Sequence, residues 1–424
     1  MARQLKNWLS AYLDYTERSE PPQSFLMWSG LVCIASVLQR KVYLKWGFDT
    51  IYPNLYVVFV APSGWSRKAT PLKIIRDILE NVHMNISSDS ITKEALTRNM
   101  AASKESFDDT VRKAISFQSP YVVLSPELSV FLGAQDGKFL AALTDMYDCP
   151  PKWTYETKGK GKDEIWGPYL VMLGATAPDW LPMIIPPEAI GGGFTSRVIW
   201  ICEDQKRKIV VVPRRTEDES RLRLRLIHDL ELIKLMSGEV ILEESMLKAY
   251  EKWYIAEHAK RYRPNDPLLG YRSRRATLSQ KLAIISSVSR GDDMVVTKED
   301  FDLAVKIMDY TEDKMNVNFG ASGKSKHAEA TLLVHNYMIE HKVATDEEIL
   351  NAHYLDLDTY TLDIAIANLS RMHQVKVESL DPANNKRTLR YVGELIAPRQ
   401  HADSGHDVGG FSGVSDASKL FEDS

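Results

Sequence analysis

The chain has 424 residues, of which 44% are hydrophobic and 26% are charged, and its formal net charge at pH 7 is −4. These values are typical of a soluble globular protein, so they exclude wholesale disorder, a collagen-like repeat and a small disulfide scaffold. The near-neutral charge also excludes a globally basic nucleic-acid coat, so any nucleic-acid site has to be a local basic patch.

The first 46 residues are predicted to form a helical segment. Apolar side chains recur at helical spacing before and after the pair Pro21 and Pro22, which interrupts the pattern. This spacing predicts one helix around residues 8–13 and a second helix over residues 24–39.

Residues 47–215 change to an alternation of buried strands and helices. The run LYVVFV at 55–60 is β-branched and aromatic throughout, which is typical of a strand that is buried on both faces. This alternation predicts an α/β fold with a mostly parallel sheet. Further strands are predicted at 121–124, 169–173 and 197–201, and helices at 71–82, 92–103, 106–117, 136–147 and 178–184.

The rest of the chain is predicted to be mainly helical. Amphipathic helices are expected at 221–236, 243–261, 277–289 and 298–315, and they form a helical region over 216–317. A linker at 318–326 precedes three helices and two strands within 327–395, which is the layout of a winged helix-turn-helix. Residues 396–424 are rich in Gly, Ser and Asp and are predicted to be a disordered tail.

The loop APSGWSRKAT at 61–70 lies between a predicted buried strand and a helix, where backbone amides and a helix N-terminus can hold phosphate. It is a degenerate version of the phosphate-loop pattern G-x-x-x-x-G-K-[ST]. We favour Lys68 as the phosphate lysine, with Arg67 in the second glycine position and Ala69 in the hydroxyl position. Thr70 then supplies the magnesium-side hydroxyl one residue late.

Two alternatives for this loop stay open. Arg67 can occupy the lysine position, in which case Ala61 and Ser66 replace both glycines. The loop can also be an ordinary strand–helix turn with two solvated cations. In the favoured alignment Ser63 and Gly64 belong to the ATP-binding loop, together with Arg67 to Thr70.

Polar residues also follow the next predicted strands. Glu127 comes after the strand at 121–124, and a carboxylate there can orient an attacking water, although Pro126 occupies the position where an Asp that holds magnesium is expected. Asp145 or Asp148 can supply the missing charge, and a plain surface Glu is the alternative. Thr176 is the last residue of a later predicted strand. In ATPases with a phosphate loop, a polar residue at this position senses the γ-phosphate.

Arg197 begins a buried strand, where an unpaired charge is costly. It is either an arginine finger that reaches the ATP site of a neighbouring subunit or a partner in a salt bridge within the sheet. A second basic cluster precedes the helix at 277–289. One of Arg272, Arg274 and Arg275 is expected to point at the nucleotide from the helical lid, and a solvated face is the alternative.

Residues 152–167 predict a β-hairpin with a cationic tip. Two aromatic-bearing arms flank the run KGKGK, whose glycines permit a tight turn. Lys158, Lys160 and Lys162 would then contact a phosphate backbone through salt-sensitive interactions. A solubilising hairpin whose edge is protected by lysine is the alternative.

Together these motifs resemble the phage and prophage P-loop ATPases described as replicative helicases or primase–helicase proteins. The resemblance covers residues 20–315, and it also extends to MCM-type and superfamily-three viral helicases. It implies an AAA+/RecA-like core at 47–215 with a helical lid, a DNA-contacting hairpin at Lys158, Lys160 and Lys162, and a finger at Arg197 that acts in trans. The segments that carry it are IYPNLY (51–56), APSGWSRKAT (61–70), SPELSVFLG (125–133), LGATAPDWL (173–181) and GGGFTSR (191–197).

The resemblance implies an ATP-dependent, ring-forming replicative DNA helicase that uses ATP and Mg²⁺ on single-stranded or forked DNA, as a homo-oligomer expected to be hexameric. The alternative is a nucleotide-gated helicase loader or origin-binding adaptor with weak or no ATP hydrolysis. The helix at 359–372 contains Arg371 but is otherwise apolar or acidic, so protein contact is a rival role for the winged helix. The segment KLFEDS at 419–424 is either a docking peptide for a replisome protein or a solvating tail.

The sequence also bears on location. No stretch approaches about 18 uninterrupted apolar residues, so no membrane helix is predicted, and no secretion signal is expected. The cysteines Cys33, Cys149 and Cys202 are far apart and fit a reducing compartment. We therefore expect the cytoplasm, here that of a bacterial host.

Overall fold

The computed structural model describes residues 2–88, 90–109, 113–133, 137–157, 161–181, 193–262, 266, 268–319, 327–381 and 386–393. The described residues form two compact units, the first ending at Phe319 and the second covering 327–393. Among them, no helix combines the length and the apolar character that crossing a bilayer requires.

Helices and strands alternate through the first half of the first unit. In chain order they are α1 (Trp8–Thr16), α2 (Gln23–Leu38), β1 (Val42–Trp46), β2 (Asp49–Ile51), β3 (Tyr56–Val60), α3 (Ala69–Asn81), α4 (Lys93–Ala102), β4 (Glu105–Asp109), β5 (Ala114–Ser125), α5 (Leu128–Leu132), α6 (Gly137–Tyr147), β6 (Lys152–Thr157), β7 (Gly161–Trp166), β8 (Pro168–Thr176) and β9 (Val198–Cys202).

The second half of this unit is mainly helical. It contains α7 (Glu217–Leu235), β10 (Gly238–Glu239), β11 (Ile241–Leu242), α8 (Glu244–Ala259), α9 (Leu269–Arg272), α10 (Arg275–Arg290), β12 (Val295–Val296) and α11 (Lys298–Phe319).

A five-stranded sheet organises the first unit. Its strand order is β4-β5-β8-β3-β9, and every neighbouring pair is parallel except β4 and β5. All five residues of β3 are buried, as expected for a strand covered on both faces. The predicted α/β class with a mostly parallel central sheet is confirmed.

The predicted helix at 106–117 is wrong. β4 and the first part of β5 form an antiparallel ribbon there, in which Ser106 faces Phe117. Ile115 and Phe117 alternate with Ser116 and Gln118, a period of two that favours a strand over a helix. In the described part of the predicted helix at 178–184, Pro178–Trp180 form a 3₁₀ turn and Leu181 is α-helical, while residues 182–184 lie outside the described residues.

The N-terminal helices are part of the core of this unit. All residues of α2 are buried, and the ring of Phe25 stacks on that of Phe59 in β3 at 4.3 Å. α1 packs on α2 and α7, and the indole of Trp8 donates to the carbonyl of Leu226 at 2.9 Å. α2 therefore packs on the sheet, and α1 packs on α2.

The second unit has its own small core. It contains α12 (Ala328–His341), β13 (Val343–Thr345), α13 (Asp346–Ala352), α14 (Thr359–Arg371), β14 (Val375–Asp381) and β15 (Lys386–Tyr391). Its antiparallel sheet has the order β13-β15-β14. Val334, Ile349, Leu362 and Leu389 are fully buried between the helices and this sheet.

Candidate functional site

The loop between β3 and α3 lies at the carboxyl edge of the sheet, beside the end of β8. Val60 pairs with Thr176, and the next amide, that of Ala61, donates to the carbonyl of Thr176 at 3.2 Å. β3 has β8 on one side and β9 on the other, so this edge is where the strand order reverses. Crevices at such positions are the usual ligand sites of open α/β sheets.

Lys68 ends the loop and is half-buried. Its ammonium donates to the carbonyl of Ala61 at 2.9 Å, so the side chain folds back across the loop. Burial lowers the pKa of Lys68, and the carboxylate of Glu127 acts in the opposite direction. The cation and Glu127 therefore influence each other across the carboxyl edge.

Glu127 follows β5 and precedes the short helix α5. Its carboxylate accepts from the hydroxyl of Ser129 at 3.1 Å, and its carbonyl accepts from Ser125 at 2.9 Å. Pro126 is exposed at the position where the sequence pattern expects an acid. Lys68, Thr176 and Glu127, which were predicted from separate strand ends, thus lie at one edge of the sheet.

The tip of the loop has an unusual backbone. Gly64 has a φ of +80°, which suits glycine, and Arg67 has a φ of +53°, which L side chains seldom adopt. The guanidinium of Arg67 pairs with Glu20 at 2.7 Å, so it points toward the α1–α2 turn. Ser63 is exposed beside Gly64, and Ala69 and Thr70 start α3.

Glu20 is a residue of this region that the sequence did not reveal. The backbone N–H of Val210 and the side chains of Arg67 and Lys206 lower its pKa to about 2. It joins the loop to the segment after β9. The sequence around Pro21 indicates only a helix break, and no local pattern identifies the partners of Glu20.

Arg197 lies at the opposite edge of the sheet. It sits in a 3₁₀ turn just before β9, not in the strand as predicted, and Val198 pairs with Tyr56 at the start of β3. β3 has five residues, which at about 3.3 Å each separate this edge by ~15 Å from the loop of the same chain.

Two arginines and one acid meet at that amino edge. Arg197 donates to Asp148 through Nε at 3.1 Å and through a second nitrogen, and to the carbonyl of Gly193 at 2.8 Å. Arg274 donates to Ser196 at 3.2 Å and lies 3.9 Å from Asp148. Burial lowers the pKa of Arg274, and the positive charge of Arg197 lowers it further. Asp148 therefore serves these cations and not the carboxyl edge.

The other two arginines of the predicted lid are paired inside the helical region. Arg275 is almost fully buried and binds Glu257 at 2.5 Å, Glu312 at 2.7 Å and also Asp309. Arg272 binds Asp266 at 3.0 Å and lies over the ring of Tyr262 at 4.5 Å. These contacts give both side chains a role in packing the helices.

The predicted hairpin is formed by β6 and β7. Lys152 pairs with Trp166 at its base, and Lys162 binds Glu164 at 3.0 Å along one arm. Tyr155 donates to Glu94 of α4 at 3.0 Å, which fixes the hairpin to the body of the unit. Lys158 and Lys160 lie outside the described residues, as do the tail at 396–424 and residues 320–326 of the predicted linker.

The described residues contain no group of three or more His, Cys, Asp and Glu side chains arranged to hold a metal ion. No protein-family model matches the chain, and no curated protein matches it. The function therefore has to be argued from the two sheet edges and the hairpin.

Proposed function

We propose that the chain is an ATP-dependent motor on DNA, a ring-forming replicative helicase of a phage or prophage with an AAA+/RecA-like core. The observation that carries the proposal is the convergence of Lys68, Thr176 and Glu127 on one edge of a parallel sheet, around the loop that precedes α3. Such a protein would act in the cytoplasm of the bacterial host.

The loop has the features that a triphosphate needs. The start of α3 has no side-chain cap, but Pro71 has no N–H and the amide of Thr70 donates to the carbonyl of Arg67 at 2.9 Å. Among the first three residues of α3, the amide of Ala69 is therefore the one that could meet an anion. The hydroxyl of Ser66 is buried and finds no hydrogen-bond partner among the described residues. Lys68 would exchange its contact with Ala61 for a phosphate oxygen, and Thr70 would offer its hydroxyl to a magnesium ion carried by the nucleotide.

Two residues would support hydrolysis from the same edge. Glu127 would orient the attacking water, and the buried Thr176 would contact the terminal phosphate. ATP supplies the phosphoryl group and magnesium neutralises its charge.

Arg197 forms the salt bridge with Asp148 within its own chain, and it lies too far along the sheet to reach its own loop. A role at the nucleotide would therefore be in a neighbouring subunit. In a ring, the amino edge of one subunit would approach the carboxyl edge of the next. Arg274 beside Arg197 adds a second cation to that surface. Asp148 would hold both side chains until a nucleotide phosphate competes for them.

The hairpin and the second unit are the proposed contacts with nucleic acid and partners. Lys158, Lys160 and Lys162 would follow the DNA backbone. The order of helices and strands in the second unit, with its sheet β13-β15-β14, supports a winged helix. Arg371 is the one basic residue of α14, and Asp363 of the same helix pairs with Arg387 of the sheet. The helix therefore offers little positive charge to DNA and suits a protein partner.

A nucleotide-gated loader or adaptor is the second candidate. Two observations favour it. Pro126 occupies the position where an acid is expected, and Asp148 is paired with Arg197, so neither position supplies a second carboxylate near Lys68. Such a protein would bind ATP at the same loop and hydrolyse it slowly or not at all.

Nucleotide affinity and particle shape test the proposal. We expect Lys68→Ala to weaken ATP binding by about 10- to 100-fold, because a charge-assisted contact to phosphate is lost. Lys73→Ala is the matched control, since Lys73 is exposed on α3. Particles imaged with ATP and single-stranded DNA should be closed rings with DNA in the pore. Equal ATP affinity of both variants, or monomers under all conditions, would contradict the proposal.

A further inference from the structure

A small aromatic cavity lies at the root of the β6–β7 hairpin. Its volume is about 150 Å³. Trp166, which pairs with Lys152 at the base of the hairpin, forms one wall, and Phe117 of β5 forms another. The aromatic rings that line it, together with the guanidinium of Arg40, belong to Tyr43, Tyr52, Phe107, Phe117 and Trp166.

The cavity opens on aromatic surface that reaches solvent. The side chain of Phe117 is 46% exposed and that of Trp166 is 37% exposed. Arg40 also lines the cavity, where its guanidinium carbon lies 4.2 Å from the ring centroid of Tyr52 and its Nη1 donates to the carbonyl of Cys149 at 2.6 Å. The cavity therefore combines a fixed cation with partly exposed aromatic rings.

Two lysines lie over these rings. The ammonium of Lys104 lies 4.4 Å from the centroid of Phe117 and 4.9 Å from that of Trp166, and Lys152 lies 4.4 Å from Trp166. Asp109 also lines the cavity, and its carboxylate accepts from the hydroxyl of Tyr43 at 3.5 Å. Two further carboxylates have partners: Glu164 binds Lys152 and Lys162, and Glu105 accepts from Gln118. Lys104 and Lys152 therefore give the rim the positive charge that suits a polyanion.

We propose that this cavity binds one base of single-stranded DNA, which stacks on Phe117 and Trp166 while Lys104 and Lys152 contact the flanking phosphates. The inference rests on the proposed function and adds a second contact point to the lysines of the hairpin tip. The volume is below the 300–1,000 Å³ of typical small-molecule pockets, which suits a single planar ring. Aromatic stacking beside cations is the usual way in which proteins hold single strands.

Binding of a labelled oligo(dT) strand and of an equally long abasic strand tests this assignment. Phe117→Ala and Trp166→Ala should each weaken oligo(dT) binding about tenfold, as expected for loss of one base–aromatic stack. Both variants should bind the abasic strand with nearly the affinity of the wild type, because that strand has no base to stack. Trp166→Phe should restore most of the affinity for oligo(dT).

Ile115→Ala is the matched control, because Ile115 is an exposed apolar residue of the same strand and does not line the cavity. It should bind both strands as the wild type does, and thermal unfolding should show that all variants fold. Equal oligo(dT) affinity in the wild type and both alanine variants would overturn the proposal that the cavity binds a base, and it would leave the proposed motor function standing. A wild type that binds no single strand would overturn the DNA role as well. Loss of subunit assembly in Trp166→Ala, with DNA affinity unchanged, would assign the surface to a second copy.

Discussion

Arg275 joins three acidic residues inside the helical region. Its guanidinium is buried among Glu257, Asp309 and Glu312. We expect Arg275→Ala to lower the free energy of unfolding of the first unit by about 3–5 kcal/mol, because it leaves buried carboxylates without their cation. Denaturant titration measures this. Arg221→Ala, which removes an exposed pair on α7, should change stability little.

Glu312 in the same cluster predicts a pH dependence. Burial raises its pKa to about 7, from 4.5 for an ordinary glutamate, and Arg275 opposes the shift. Between these values the folded state retains a proton that the unfolded chain releases, so the contribution of Glu312 to stability falls as pH rises through this range. Glu312→Gln removes the titration. From about pH 5 to about pH 8 the wild type should lose stability relative to this variant, and parallel stability curves would refute the assignment.

Some residues of the candidate site can be predicted from the sequence, and others cannot. Lys68 is predicted from the degenerate phosphate-loop pattern, and Glu127 and Thr176 from their positions at the ends of buried strands. The carboxyl ends of parallel strands meet at one edge, so the three lie close together. The sequence does not predict the ion-pair partners of Glu20 and Asp148, because Arg67 and Arg197 come from distant segments of the chain. The buried pairing of Arg275 was missed for the same reason, since its acids lie on two other helices.

At the level of elements, the contact between α1 and α2 depends on Gly30. A Cβ at this position would lie 2.6 Å from Leu9 Cδ1 and 2.8 Å from Tyr12 Cδ1. Gly30→Ala should therefore destabilise the first unit by about 1–3 kcal/mol, through overpacking. Gly137→Ala is the control, because nothing lies within 4 Å of the added carbon. Equal unfolding midpoints for both variants would show that the helices do not pack in this way.

The hairpin makes a separate prediction about salt. Replacing Lys158, Lys160 and Lys162 by alanine should reduce the dependence of the logarithm of DNA affinity on the logarithm of salt concentration by about 0.7 per lost phosphate contact. Affinity measured across a salt series tests this. Lys248→Ala, an exposed lysine on α8, should leave the slope unchanged. An unchanged slope in the triple variant would favour the purely solubilising hairpin.

Element prediction was accurate where the apolar pattern was strong and was wrong at 106–117. The buried strands β3, β8 and β9 contain uninterrupted apolar runs, and the long amphipathic helices have a clear period. The ribbon of β4 and the start of β5 is rich in charged and polar residues, and its alternation of apolar and polar side chains covers only a few residues. Pairing between the two strands adds to this short local signal.

At the scale of the whole molecule, the two units have separate cores. Leu362 is fully buried in the second core and Leu230 in the first. We expect Leu362→Ala to cost about 2–5 kcal/mol and to lower only one of two calorimetric transitions, while Leu230→Ala lowers the other. A single transition that both variants shift would show that the chain unfolds as one cooperative body.

DNA-stimulated ATP hydrolysis tests the central claim most directly. The wild type, Lys68→Ala and Glu127→Gln are compared with and without single-stranded DNA. The account predicts that DNA raises the turnover of the wild type, and that both variants lose this activity because the phosphate contact or the water-orienting carboxylate is missing. Wild-type turnover no higher than that of the variants, with DNA present, would contradict the motor function.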